Sequence, residues 1–255
     1  MFLIRLELII APLMLLLLAG FGCSTPKPQR VLTISEQIEV DTETASDLFG
    51  EYQKKVAFVN NPEAERYLNA LALKIANTHD GLQRERVRVR IHHDEAAPGL
   101  SFFFSFPGTT LSVPLGFLRV VEYENELAGA IAFEIANVMN RHLAKKMDHE
   151  STFEMFGPRG LFAFDRSERL ESIELGTRLL YYSGYDIRGL ASFFQRYSRF
   201  TRNAVVGPNE GLDSAQKEVD FNVREAQRAK SEYLPSLQPV VRSAEFIIMK
   251  KGLKR

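Results

Sequence analysis

The stretch Leu127 to His142, LAGAIAFEIANVMNRH, holds the residue types and spacing from which chemistry would have to start. Two histidines four positions apart share one face of a helix and can hold zinc, while a glutamate beside the first polarises an attacking water. Here Glu134 keeps the place of that glutamate, but Phe133 and Asn137 stand where the histidines would be. Phenylalanine has no lone pair to offer, and an asparagine amide suits harder ions than zinc. His142 cannot stand in, because it lies two turns beyond Glu134, about 12 Å along a helix axis. Leu127, Ile131, Ile135, Val138 and Met139 meanwhile fit an ordinary buried helix.

The elements that must position this helix can be read outward from it. Asn61-Pro62-Glu63 opens a helix, with Asn61 as cap, proline at the first helical position and Glu63 and Glu65 at the positive end of the dipole. Tyr67, Leu68, Leu71 and Ile75 form its apolar stripe. Val87 to His92 alternates strictly, which predicts a half-buried strand with valine and isoleucine inward and its histidine in solvent. His92 and His93 point to opposite faces of that strand, so they cannot share a metal. Leu100 to Phe106, a Pro107-Gly108 turn and Thr109 to Val113 predict two further strands joined tightly. After Pro114-Leu115-Gly116 the pattern is helical: Glu124 to Met147, Glu168 to Ser183, Ile187 to Phe200, Ala215 to Lys230 and Val240 to Lys251. Strands early and helices late define an α+β domain, mainly helical with a small early β-sheet.

The run from Pro107 to Ala132 has a Pro-Gly turn, a strand, Gly116-Phe117-Leu118, and Glu126-Leu127-Ala128 leading into the helix. This run resembles peptidase family M forty-eight, the HtpX and Oma-like gluzincin zinc metallopeptidases. Arg141-His142 is similar to the pair that closes the family's helix, and Gly176 with Ser183-Gly184-Tyr185-Asp186 resembles a later segment; the likeness covers roughly Asp47 to Arg242. It implies a zincin-like (gluzincin) fold. It also implies that the family's third zinc ligand falls at Arg169 and an orienting aspartate at Ile173, with Glu168 and Glu171 nearby. A downstream family histidine falls at Gln238, and an asparagine before the turn falls at Phe102. The chain departs at all of these positions. Catalytic Glu134 would then be a vestigial general base; Phe133, Asn137 and Arg169 would be vestigial metal positions, and Ile173, Gln238 and His142 vestiges of the supporting shell. No metal ligand set is expected, and no cofactor.

An ionised carboxylate left unpaired in a dry core is costly. Two resolutions stand side by side: the Arg169 guanidinium fills the place of the metal and pairs with Glu134, or Glu134 reaches water through the old cleft.

Met1 to Cys23 has one arginine and an apolar run from Leu8 to Leu18, the layout of a secretory signal. Residues 1–22 are read as the signal, 23–48 as a lipidated Cys23 with its tether, and 49–255 as the metallopeptidase-like domain. An uncleaved membrane anchor is the alternative, although the run is shorter than the roughly 20 residues of a comfortable span. One cysteine excludes an intramolecular disulfide. Lys plus Arg and Asp plus Glu both total 32, so no net field draws the chain to nucleic acid. Three functions follow. The first is a catalytically degenerate, lipid-anchored envelope protein, on the outer membrane facing the periplasm, that binds polypeptides in quality control or outer-membrane assembly, with Phe102, Phe103, Phe104 and Phe106 either contacting them or packing the core. The second is an active zinc metalloendopeptidase with a rearranged site around Glu134 and Glu168. The third is a purely structural lipoprotein.

Overall fold

A computed structural model of the chain describes residues 34–79, 87–94, 103–108, 110–147, 164–205 and 212–253. Cys23, Phe102, His149 and the signal segment lie outside these residues. Contacts divide the chain into units 1–37 and 38–255. Of the first unit only the opening residues of a helix are described.

That helix, α1, spans Ile34–Lys55 and runs through the expected tether boundary at residue 48. Leu48 and Tyr52 recur on one of its faces and, with Val56 just beyond its end, are buried. The second helix, α2 (Pro62–Ala76), starts as anticipated: the Asn61 side chain accepts from the Ala64 amide at 3.0 Å, with proline in the first turn. Leu68, Leu71 and Ile75 are buried beneath it.

Three strands follow: β1 (Arg88–His92), β2 (Phe104–Phe106) and β3 (Thr110–Pro114), in the order β1-β3-β2. The last two form the anticipated antiparallel hairpin, turning at Pro107-Gly108, where Gly108 takes a φ of 77° that glycine adopts without strain. Strand β1 lies parallel to β3. Asn69 of α2 clamps it, accepting from the Val89 amide at 2.9 Å and donating to the Val89 carbonyl at 3.2 Å. Val89 and Ile91 point inward as expected, but His92 is buried as well. It meets the Ser112 hydroxyl at 2.8 Å and the edge of Tyr52, so α1 covers the face that alternation assigned to water.

The remaining helices are α3 (Leu115–Val120), α4 (Glu124–Met139), α5 (His142–Met147), α6 (Arg166–Tyr182), α7 (Arg188–Val205), α8 (Leu212–Lys230) and α9 (Ala244–Gly252). The order is that of an α+β domain, mostly helical with a three-stranded sheet. Helix α4 is its axis. Every residue from Glu124 to Asn137 is buried, and α2, β2, α6 and α7 all pack on it. A helix that is apolar all round belongs in a core. The crossing with α7 is close because glycines meet there: a Cβ on Gly189 would lie 2.0 Å from the Asn125 carbonyl oxygen, and one on Gly129 would lie 2.8 Å from the Leu190 Cα.

The continuous helix expected to Met147 is instead broken at Asn140-Arg141. Arg141 adopts a φ of 57° and forks its guanidinium onto Asp41 at 2.8 and 2.7 Å. A left-handed residue ends an α-helix, and a bidentate ion pair to α1 offsets part of its strain. Phe103, Phe104 and Phe106 are buried, the first within a cluster of Phe117, Phe193 and Tyr197. They pack the core rather than present a surface to a peptide.

Candidate functional site

The residues singled out on α4 occupy one face at the middle of that helix. Phe133 is fully buried and meets Phe194 of α7 edge to face, at a centroid distance of 5.3 Å. One turn on, Asn137 donates from Nδ2 to Glu134 Oε2 at 3.3 Å, and its Oδ1 accepts from the Ser172 hydroxyl at 2.7 Å. Ser105 of β2 also hydrogen-bonds to the Glu134 carboxylate. The result is a polar chain, Ser105–Glu134–Asn137–Ser172, running from the sheet through α4 to α6. Glu134 is only 4% exposed. Burial pushes its carboxyl up from 4.5 to about 7, although the bonds from Ser105 and Asn137 pull the other way. Below about pH 7 it is therefore mostly a neutral acid, which lessens the charge that would otherwise need a partner.

Arg169 does not supply one. It is 3% exposed, and its guanidinium donates to Asn222 Oδ1 at 3.1 Å, to the Phe164 carbonyl at 2.7 Å and to Glu218. These partners lie on α8 and just before α6, and Arg169 shares no hydrogen bond or ion pair with Glu134. The expectation of a charge replacement at the metal position is thus corrected. Helix α8 brings a carboxylate and an amide to Arg169 that no local pattern announces, while desolvation favours the neutral form of Glu134.

The other positions scatter. Ile173 is packed in the core, and Gln238 is exposed on the link between α8 and α9. Glu168 caps α6: it accepts from the Asp165 amide at 2.8 Å, and Asp165 accepts from its amide at 2.9 Å. His142 is buried on the Phe164 ring, and neither ring nitrogen finds a hydrogen-bond partner among the described residues. The nearest carboxylate, Glu171, approaches its Nε2 at 3.8 Å, and burial pushes the imidazole below its usual range.

Zinc needs three or four converging nitrogen, sulfur or oxygen donors. Around Glu134 stand a phenyl ring and an amide committed on both sides, which do not fit that ion. Among the described residues no three His, Cys, Asp or Glu side chains cluster closely enough to hold a metal. Sequence reasoning missed Ser105 and Ser172. Each is a lone small polar residue within an apolar run, a signal that is visible only once the packing is known.

No protein-family model matches the chain. Among curated proteins it is 22% identical, over 167 residues, to the beta-barrel assembly-enhancing protease of Escherichia coli (strain K12), a match covering 54% of this chain and 33% of that one. It is 20% identical, over 244 residues, to the protein of the same name from Yersinia pestis, covering 84% of this chain and 48% of that one. The chain therefore spans between a third and a half of these relatives' length. The relationship is distant and peptidase-like.

Proposed function

We propose that the chain is a degenerate member of peptidase family M forty-eight, with a gluzincin-like domain that holds polypeptides without cutting them. The observation that carries this reading is the sealed surround of Glu134. Its flanking positions are a phenyl ring packed on Phe194 and an amide hydrogen-bonded to Ser172, with no ligand pair between them. A general base without a metal or an open cleft has no water to activate.

The setting is the cell envelope. The relatives' name speaks of β-barrel assembly, which supports a role in outer-membrane assembly or envelope protein quality control. Residues 1–22 act as a signal and Cys23 as the lipidated residue, anchoring the protein to the outer membrane on its periplasmic side. The partner is polypeptide, not nucleic acid.

The test is the zinc content of the purified chain, prepared without a metal-binding tag, dialysed against trace zinc and measured by elemental mass spectrometry. Near-zero metal is the expected result. About one zinc per chain, with chelator-sensitive casein cleavage abolished by Glu134→Gln, would make the protein an active peptidase and overturn the reading.

A further inference from the structure

Glu134 and its neighbours are enclosed, so they offer a polypeptide nothing to hold. An open cavity of about 310 Å³ lies elsewhere, beside Asp186, whose carbonyl accepts from the Asn125 side chain at 3.4 Å. That places it near the first turn of α4, nine residues or about 13 Å along the axis from Glu134. Tyr181 at the end of α6, Tyr185 in the following turn, Lys230 at the end of α8, and Tyr233, Pro235 and Pro239 in the α8–α9 link line it.

The walls are held in place. The Val240 amide donates to the Gly184 carbonyl at 2.9 Å and the Asp186 amide to the Val240 carbonyl at 3.0 Å, which fastens the link to the turn after α6. The Tyr181 and Tyr233 rings meet at 4.8 Å. The site is therefore preformed, and its volume sits at the low end of the roughly 300–1,000 Å³ of small-molecule pockets. It suits one large side chain better than a cofactor.

Charge narrows the occupant further. Arg188 is spent on Asp186, with guanidinium-to-carboxylate distances of 2.9 and 2.8 Å. Lys230 shares only a longer-range attraction with the Asp186 carboxylate, which Arg188 already binds, so the two cations leave the cavity with one positive charge in excess. Next in sequence to lining residues, Tyr182 is 64%, Leu234 80% and Leu237 100% exposed, apolar side chains left in water.

We propose that this cavity is a docking site for an extended segment of a partner polypeptide: one aromatic side chain enters against the Tyr181 and Tyr233 rings, an acidic group meets Lys230, and flanking apolar residues lie on Leu234 and Leu237. Tyrosine rings favour aromatic partners at centroid distances of about 4.5–7 Å, and a buried aromatic anchor is the usual centre of such an interface. The proposal rests on the reading that the chain binds polypeptides, and it names the surface that does so.

The test titrates the full chain against a fluorescein-labelled peptide, Ser-Gly-Asp-Phe-Leu-Ser-Gly, by fluorescence anisotropy, with reduced carboxymethylated lactalbumin as a general unfolded-polypeptide probe. Replacing the peptide's phenylalanine by alanine, or its aspartate by lysine, is expected to weaken binding at least tenfold. Tyr233→Ala and Lys230→Glu are expected to do the same to both probes, while Lys251→Glu on α9 leaves binding unchanged. Circular dichroism checks that each variant folds, and if Tyr233→Ala does not, the exposed Lys230→Glu carries the test. Undiminished binding of both probes to the variants would overturn the docking site and leave polypeptide binding standing. Failure of both probes to bind the unaltered chain would overturn the two together.

Discussion

Replacing Glu134 by glutamine keeps a carbonyl to accept from Ser105 and Asn137 and removes only the ionisation. In the folded chain burial holds this carboxyl at about 7, against an ordinary value of 4.5. Between those two values the folded state keeps a proton that the unfolded state has lost, so stability falls as pH rises, by about 1.4 kcal/mol per unit. The whole contribution is present below pH 4.5, and about 3 kcal/mol of it is gone above pH 7, with no further change beyond. Glu134→Gln has no such slope. Urea unfolding of both proteins at pH 5 and pH 8 should therefore show the variant gaining about 2–3 kcal/mol on the unaltered chain between the two conditions, since other titrating groups cancel in the difference. Parallel pH profiles would refute the reasoning, and would mean that the carboxylate is ionised in the fold or exchanges with water.

Three further outcomes follow from the packing. Phe133→Ala empties a fully buried, edge-to-face site, and thermal or urea denaturation should record a loss of about 3–5 kcal/mol. Gly189→Ala drives a methyl group into the Asn125 backbone, where nothing can rotate aside; the α4–α7 crossing should open, with a loss of several kcal/mol or failure to fold, seen as a lowered melting temperature. His142 shows the opposite pH behaviour to Glu134. Its folded value is lowered by burial, so its contribution is complete above the ordinary 6.5 and is lost as pH falls below it; His142→Phe should flatten the acid limb between pH 6.5 and 5, as read by urea midpoints.

Local chemistry was the legible part of this chain. Asn61-Pro62 starts a helix because a side-chain oxygen and a fixed φ act within one turn, and Pro107-Gly108 turns a hairpin for equally local reasons. Helix α4 was legible as buried because its apolar residues leave no polar face. Partnerships over long separations were not legible. His92 alternates outward on its strand, yet α1 supplies Tyr52 to cover it, and nothing in Val87–His92 encodes that neighbour. Arg169 sits where a ligand was implied, but its partners are 49 and 53 positions away on α8. The helix break at Arg141 was hidden for the same reason, since Asp41, which holds that arginine, is 100 positions upstream.

The first turn of α4 is closed by the segment just before α9. The Glu124 and Asn125 amides donate to the Val241 carbonyl at 3.0 and 3.3 Å, and the Glu124 carboxylate accepts from the Ser243 amide, 119 positions later. Buried amides without acceptors are costly, so the central helix cannot be completed by anything made before residue 241. On the ribosome the core would wait for residue 243 to emerge, and a product truncated before that point would carry an unfinished axis. Such long-range closure makes folding slow relative to a bundle of local contacts, and it makes integrity of the Val241–Ser243 segment a checkpoint for everything packed around Glu134.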